Sequence, residues 1–176
     1  MKIFETRCKI KDINDARNVA EKIGGIFKGH YSTTDIIFKV EKIDSEKEII
    51  VLRHFKINNR KTKNFILTHK MPEWMDKIKT DRIILKEKFD TMEEALNFMK
   101  DHYGSDLKDG YEYSREGWEY HLDMSRIFIE NIEKLGPTIE IEAENKRDLE
   151  NLLKSFKTIE CFSESTSEIM RKLLGK

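Results

Sequence analysis

The sequence is poor in residues that cross-link a chain or interrupt its secondary structure. Its 176 residues include two cysteines, two prolines and eight glycines. Two cysteines are too few for a disulfide framework or a structural zinc site, and we expect Cys8 to be a buried structural thiol. No apolar run approaches the roughly 18 residues of a membrane-spanning helix, and the N-terminus lacks the apolar core of a signal peptide. These absences predict a soluble, cytoplasmic protein.

Neither sign of charge is in excess. Lysine and arginine together number 33, as do aspartate and glutamate, so the formal net charge is +0. The balance excludes a general attraction to nucleic acid or to anionic membranes, and we expect neither as a partner. Yet 38% of the residues are charged, against about 25% in ordinary globular chains. The length fits one domain over residues 1–176, which must hold these charges on its surface or inside.

Two hydrophobic periodicities alternate along the chain. Apolar residues at every second position predict strands near 2–10, 30–41, 48–57, 63–70, 81–89, 110–121, 125–132 and 138–144. Helical spacing predicts helices near 12–23, 92–102, 146–156 and 166–174. Capping boxes support two of these helices, Thr91 with Glu94 and Ser165 with Glu168. Mostly consecutive strands favour an antiparallel sheet, so we predict an α+β fold: an eight-stranded antiparallel β-barrel with helices packed outside.

The strands carry unusually many charges on one face. In 138–144, Glu140 and Glu142 alternate with Ile139 and Ile141. The polar face of each strand, taken singly, can simply lie in water. Alternatively, the apolar faces point outward under the four helices and the charged faces line the inside of the barrel. Buried charges need partners, and carboxylates beside lysines and arginines are what a divalent metal with a polyphosphate requires. Both interpretations remain open at this point.

Seven short motifs resemble a known family in order along the chain. They are FETRCK, DIIF, LRHF, HKMP, TDRIIL, YSR and SRIFIENIEKLGPTIEIE, within residues 3–144. This set resembles the CYTH superfamily, or triphosphate tunnel metalloenzymes, which includes class IV adenylyl cyclases, thiamine triphosphatases and inorganic triphosphatases. The first-strand motif diverges, because Arg7 stands where the family has a carboxylate. Phe55 and Tyr113 replace an arginine and a lysine.

The resemblance implies a role for each matching residue. The implied metal ligands for Mg²⁺ or Mn²⁺ are Glu5, Glu140 and Glu142. The implied catalytic residues are Glu5, Lys9 and Glu130. The implied substrate-binding cations are Arg7, Lys9, Arg53, Lys70, Arg82, Arg115 and Arg126. Arg7 would contact phosphate directly with its planar guanidinium group.

The function implied is metal-dependent processing of a triphosphate-containing small molecule such as tripolyphosphate, ATP or thiamine triphosphate. Hydrolysis is our first expectation. The alternatives are an adenylyl cyclase that forms cyclic AMP from ATP, and a non-catalytic protein that binds a nucleotide or polyphosphate. The oligomeric state is left open, with a homodimer as one option.

Overall fold

The strand and helix boundaries follow the two periodicities of the sequence. The computed structural model describes residues 3–40, 48–58, 64–104 and 107–175. Its elements in chain order are β1 (Phe4–Ile10), α1 (Ile13–Lys22), β2 (Ile26–Val40), β3 (Ile49–Asn58), β4 (Phe65–Met75), β5 (Ile78–Phe89), α2 (Met92–Tyr103), β6 (Leu107–Leu122), β7 (Ser125–Ile132), β8 (Gly136–Ala143), α3 (Lys146–Leu153), β9 (Thr158–Cys161) and α4 (Thr166–Leu173). Both capping boxes are present. Positions 2, 41 and 63, at three predicted strand ends, lie outside the described residues.

Eight of the strands close into a ring. They are hydrogen-bonded in the order β5-β4-β3-β2-β6-β7-β8-β1, and β1 returns to β5 where Glu5 lies opposite Lys79. All of these pairings are antiparallel. The short strand β9, which the sequence patterns did not predict, adds to β1. The predicted α+β fold with eight antiparallel strands is therefore confirmed.

The hairpin between β4 and β5 is longer than predicted. The two strands extend to Met75 and from Ile78, and Asp76 takes a positive φ of 59° in the turn, a conformation that aspartate tolerates better than most residues. Pro72 weakens the sequence signal for a strand. Beyond Lys70, β4 no longer pairs with β3 and pairs only with β5, so Pro72 lies where one side of the strand has no neighbouring strand, a position that proline tolerates.

The helices cover the apolar strand faces from outside the ring. Helices α1 and α3 pack through Ala16, Ala20 and Leu149 onto a cluster that includes Ile127 and Ile141. Helix α2 packs through Ala95 and Met99 onto buried leucines of β3 and β4. No helix in the described part of the chain is long and apolar enough to cross a membrane. The charged strand faces therefore point into the ring, as the second interpretation of the sequence pattern requires.

Helix α4 closes one end of the ring interior. Its residues Ile169 and Met170 lie in one buried cluster with Ile37, Val51 and Tyr113. Each of those three residues lies two positions along its strand from a charged interior residue, and side chains two apart share a face. The interior is thus apolar at the end under α4.

A disulfide joins β1 to β9. Cys8 is bonded to Cys161, 153 residues away, and the two lie opposite each other in the strand pairing. The expectation of a free structural thiol at Cys8 was wrong, because β9 returns the C-terminal segment to β1. The Cys8 side chain is fully buried, as predicted.

We expect reduction of this disulfide to destabilise the protein. A cross-link over so long a loop reduces the conformational entropy of the unfolded chain. Its loss typically lowers the free energy of unfolding by roughly 2–4 kcal/mol. Urea denaturation with and without a dithiol reductant measures the effect. The double variant Cys8→Ser/Cys161→Ser should be insensitive to the reductant, and a wild-type protein equally insensitive would contradict the cross-link.

Candidate functional site

Five strands send charged side chains into the ring next to the apolar end. We call Arg7, Asp35, Arg53, Arg115 and Glu130 the inner cluster. Arg53 donates to both oxygens of Asp35, from Nε at 2.7 Å and Nη2 at 3.0 Å. Arg115 donates to Asp35 and, at 3.2 Å, to Glu130. Arg7 also pairs with Glu130, so one continuous chain of ion pairs links β3, β2, β6, β7 and β1.

The two carboxylates of the inner cluster are deeply buried and fixed in their charged form. Asp35 and Glu130 are only 1% and 2% exposed. Burial by itself would raise the pKa of Asp35, but the attraction of Arg115 and Arg53 outweighs burial and holds that pKa well below its usual range. Burial would also raise the pKa of Glu130, but the attraction of Arg7 and Arg115 outweighs this effect and lowers that pKa to about 2. These groups are ionised at any physiological pH.

An aromatic group adjoins the inner cluster. Tyr31 donates its hydroxyl hydrogen to Glu130 and shares a buried cluster with Phe55 and Phe128. Gly117 makes room for Tyr31, because a Cβ at this position would lie 2.4 Å from the tyrosine ring. Sequence reasoning missed Tyr31, although a glycine inside a strand signals such a close approach. Phe55, where the resemblance expects an arginine, is part of this aromatic packing.

Three glutamates lie further along the same interior face. We call Glu5, Glu140 and Glu142 the acidic cluster. Across the pairing of β1 with β8, Glu5 is opposite Glu142 and Arg7 is opposite Glu140. Each glutamate has a cationic partner: Lys79 for Glu5, Arg7 for Glu140 and Arg126 for Glu142.

The acidic cluster is electrostatically strained, in contrast to the inner cluster. Burial, with repulsion from Glu140 and Glu5, raises the pKa of Glu142 to about 7 against the attraction of Arg126. Burial also raises the pKa of Glu5, an effect that Lys79 opposes and Glu140 reinforces. Arg126 compensates Glu142 poorly because its side chain is 45% exposed and water screens its charge. The Glu142 carboxyl can therefore exchange a proton near neutral pH.

Cations surround the acidic cluster on its more exposed side. Lys70 pairs with Asp81, which also accepts from Lys79 at 3.3 Å. Lys86 has a pKa below its usual range because of burial and repulsion from Lys88, Arg126 and Arg53. We call Arg53, Lys70, Lys86 and Arg126 the cationic rim. Lys79, Asp81 and Lys86 were not among the predicted site residues, since their motif carries no signal for them.

The structure brings most of the predicted site residues into these three groups. Those that it gathers are Glu5, Arg7, Arg53, Lys70, Arg115, Arg126, Glu130, Glu140 and Glu142. Two predicted residues lie apart. Lys9 shares the face of Arg7 but makes no ion pair within the described part of the chain. Arg82 is exposed on the opposite face of β5 from Asp81, and its guanidinium group contacts Met71 Sδ at 3.3 Å.

The expected metal site is not assembled. Glu5, Glu140 and Glu142 have the oxygen chemistry that Mg²⁺ or Mn²⁺ prefers, and their mutual repulsion would be relieved by a cation. Nevertheless, across residues 3–40, 48–58, 64–104 and 107–175, no group of three or more His, Cys, Asp or Glu side chains is placed to hold a metal ion. The reason is the pairing: Arg7 and Lys79 occupy the carboxylates that a metal would use. As arranged, these residues do not fit a divalent cation.

Comparison with solved structures identifies proteins of the same architecture. The chain superimposes on the PH1819 protein from Pyrococcus horikoshii with a TM-score of 0.79 at 19% identity, covering 97% of this chain and 98% of that one. It superimposes on a "putative adenylate cyclase" from Vibrio parahaemolyticus with a TM-score of 0.76 at 13% identity, covering 97% and 98%. A third match is a "putative adenylyl cyclase" from Hippeastrum described as having a dominant triphosphatase activity, with a TM-score of 0.68, 13% identity and coverage of 100% and 97%.

These likenesses concern the fold. No protein-family model matches the chain, and neither does any curated protein sequence. At identities of 13 to 19%, the superpositions show a shared fold and no more. That fold is consistent with the CYTH-like architecture that the sequence motifs resemble, and it includes proteins described as putative adenylate cyclases.

We expect Glu142→Gln to stabilise the protein at pH 8. The pKa of Glu142 rises from its usual 4.5 to about 7 on folding, so ionisation between these pH values favours the unfolded state, and the wild-type protein loses stability over this window. The variant should gain up to roughly 3 kcal/mol at pH 8 and much less at pH 5. Urea denaturation between pH 5 and 8 measures the difference.

Glu130→Gln provides the matched comparison. Its depressed pKa contributes stability that is present above about pH 4.5 and lost only in strong acid. Removing this charge leaves Arg7 and Arg115 partly unpaired and should cost roughly 3–5 kcal/mol at both pH 5 and pH 8. Equal effects of the two variants would contradict the distinction between the inner cluster and the acidic cluster.

Proposed function

We propose that the cationic rim and the acidic cluster together bind the triphosphate group of a small molecule, and that the chain hydrolyses it. The observation that carries this proposal is the juxtaposition of strained carboxylates with cations inside a ring of antiparallel strands. Cations at fixed, separated positions can each contact a different phosphoryl group. Buried glutamates that repel one another destabilise the fold, so a purely structural ion-pair network does not explain their presence.

In this proposal the cations neutralise the charge that develops on the phosphoryl oxygens. Arg53 and Arg126, which are 36% and 45% exposed, can reorient toward an entering anion more readily than the buried Arg115. Lys70 and Lys86 add charge from the facing strands. Catalysis of phosphoryl transfer rests mainly on such positioning and charge stabilisation.

The acidic cluster supplies a base in the same proposal. A carboxylate with a pKa of about 7, as at Glu142, can accept a proton from the attacking water at neutral pH. Glu5 lies opposite Glu142 and keeps the catalytic role that the resemblance implies. Glu130 contacts Arg7, Arg115 and Tyr31, and we propose that it positions the arginines.

The family resemblance implies two further features. Dependence on Mg²⁺ or Mn²⁺ is not part of this proposal, because the arrangement of the carboxylates supports no step through such an ion. Cyclisation of ATP is an alternative proposal, supported by solved structures of this fold described as putative adenylate or adenylyl cyclases. Hydrolysis comes first because one of those proteins is described as predominantly a triphosphatase.

We expect incubation with tripolyphosphate, ATP and thiamine triphosphate to release phosphate from at least one of them. Each reaction is run with Mg²⁺, with Mn²⁺ and with a chelator, and all products are separated by anion-exchange chromatography. Formation of cyclic AMP and pyrophosphate from ATP would show that the reaction is cyclisation and not hydrolysis. Ligand binding without any product would leave a binding protein, and neither binding nor product would contradict the proposal.

We expect Lys86→Gln and Arg126→Gln each to weaken tripolyphosphate binding by roughly tenfold, because each removes a charged donor to phosphate oxygens. Isothermal titration calorimetry measures the affinity. Arg82→Gln is the control, because the sequence resemblance places Arg82 in the binding site and the structure does not. Arg82 lies on the same strand as Lys86 but outside the ring, so the variant should bind tripolyphosphate like the wild type. A loss at Arg82 equal to that at Lys86 would refute the location of the site.

A further inference from the structure

Arg7 occupies a position between two carboxylates of neighbouring strands. Its Nη1 pairs with Glu130 on β7 and donates to Thr138 at 3.0 Å, while its Nη2 pairs with Glu140 on β8. The side chain is 7% exposed. With both terminal nitrogens already engaged by protein oxygens, Arg7 is badly placed for the direct phosphate contact that we expected from the sequence.

The charges around Arg7 balance without any metal ion. Three guanidinium groups face three carboxylates in one connected network. Its members are Arg7, Arg53, Arg115, Asp35, Glu130 and Glu140. A divalent cation placed among them would add two uncompensated positive charges where the low dielectric makes repulsion costly. With a carboxylate at position 7, as the family resemblance expects, the same network would instead have two excess negative charges.

We propose that Arg7 is a built-in cation: its guanidinium group takes the place of a divalent ion between Glu130 and Glu140, so that the chain binds polyphosphate without a resident metal there. The second half of this proposal rests on the proposed triphosphate site; the first half concerns the free protein alone. Together with the pairing of Lys79 with Glu5, the proposal accounts for the absence of a metal-holding group among the described residues. Arg7 keeps Glu140 in place permanently, whereas a metal would do so only when bound.

Manganese binding to the free protein tests the first half. Mn²⁺ is titrated without any phosphate compound, and free Mn²⁺ is followed by electron paramagnetic resonance. We expect no saturable binding by the wild type, measurable binding by Arg7→Gln, and binding at least about tenfold tighter still by Arg7→Glu, because each change adds one unit of negative charge to the network. Mn²⁺ should also raise the melting temperature of both variants and leave that of the wild type unchanged.

Arg115→Gln is the matched control. Arg115 is buried to the same 7% exposure, and its loss changes the net charge equally. Arg7 still holds Glu130 and Glu140 in this variant, and Arg53 still holds Asp35, so we expect no manganese site. Equal Mn²⁺ binding by Arg115→Gln and Arg7→Gln would overturn the assignment to Arg7. If the variants fail to fold, wild-type binding of one Mn²⁺ that disappears in Glu140→Gln would overturn it as well.

Tripolyphosphate binding to the wild type tests the second half. Calorimetry with a chelator and with Mg²⁺ should give affinities within about threefold of each other. Binding that requires Mg²⁺ would refute metal-independent binding while leaving the triphosphate site intact. Absence of binding under both conditions would instead refute the proposed function, and the manganese result for Arg7 would stand independently.

Discussion

The pairing of buried charges is the constraint on which this interior depends. A carboxylate or guanidinium group loses its hydration inside the ring, and only a partner of opposite charge with good hydrogen bonds compensates for that loss. Asp35 meets this need with two arginines, and Glu130 with Arg7, Arg115 and Tyr31. The ion pairs therefore also hold the strands in register, because a shift of one residue would turn each charged side chain to the apolar outer face.

The apolar outer faces of the strands provide the hydrophobic driving force for folding that the charged interior lacks. Buried ion pairs contribute little net stability, whereas burial of apolar surface contributes about 25 cal/mol per Å². The clusters under α1, α2 and α3 are built mainly from aliphatic and aromatic side chains. The ring is thus an inverted arrangement: hydrophobic contacts between strands and helices stabilise it from outside, which frees the inside for polar groups.

The interior differs in character along its axis. Next to the apolar end under α4, Asp35 and Glu130 are each paired with two arginines, and the pKa of Glu130 falls to about 2. Further along, Glu5, Glu140 and Glu142 repel one another, and the pKa of Glu142 rises to about 7. Strained, titratable groups of this kind are typical of functional sites. The fully paired part anchors the site, and the strained part has cations able to bind an anion and a carboxylate, Glu142, able to accept a proton.

Local patterns in the sequence determined every helix and strand except β9, since alternation and helical spacing report which face of each segment is apolar. The resemblance of short motifs to a known family marked Glu130, Glu140 and Glu142, whose spacing within two adjacent strands is local. Only the tertiary structure decided which faces point inward, that Cys8 meets Cys161, that Arg82 lies outside, and that Lys79 and Lys86 face the glutamates. Strand order brings together residues that are far apart in the chain, and the register shift at His69 and Lys70 sets which residues of β5 face the interior. Arg7 shows the difference best: its sequence position suggested a phosphate ligand, but its role depends on two carboxylates more than 120 residues away.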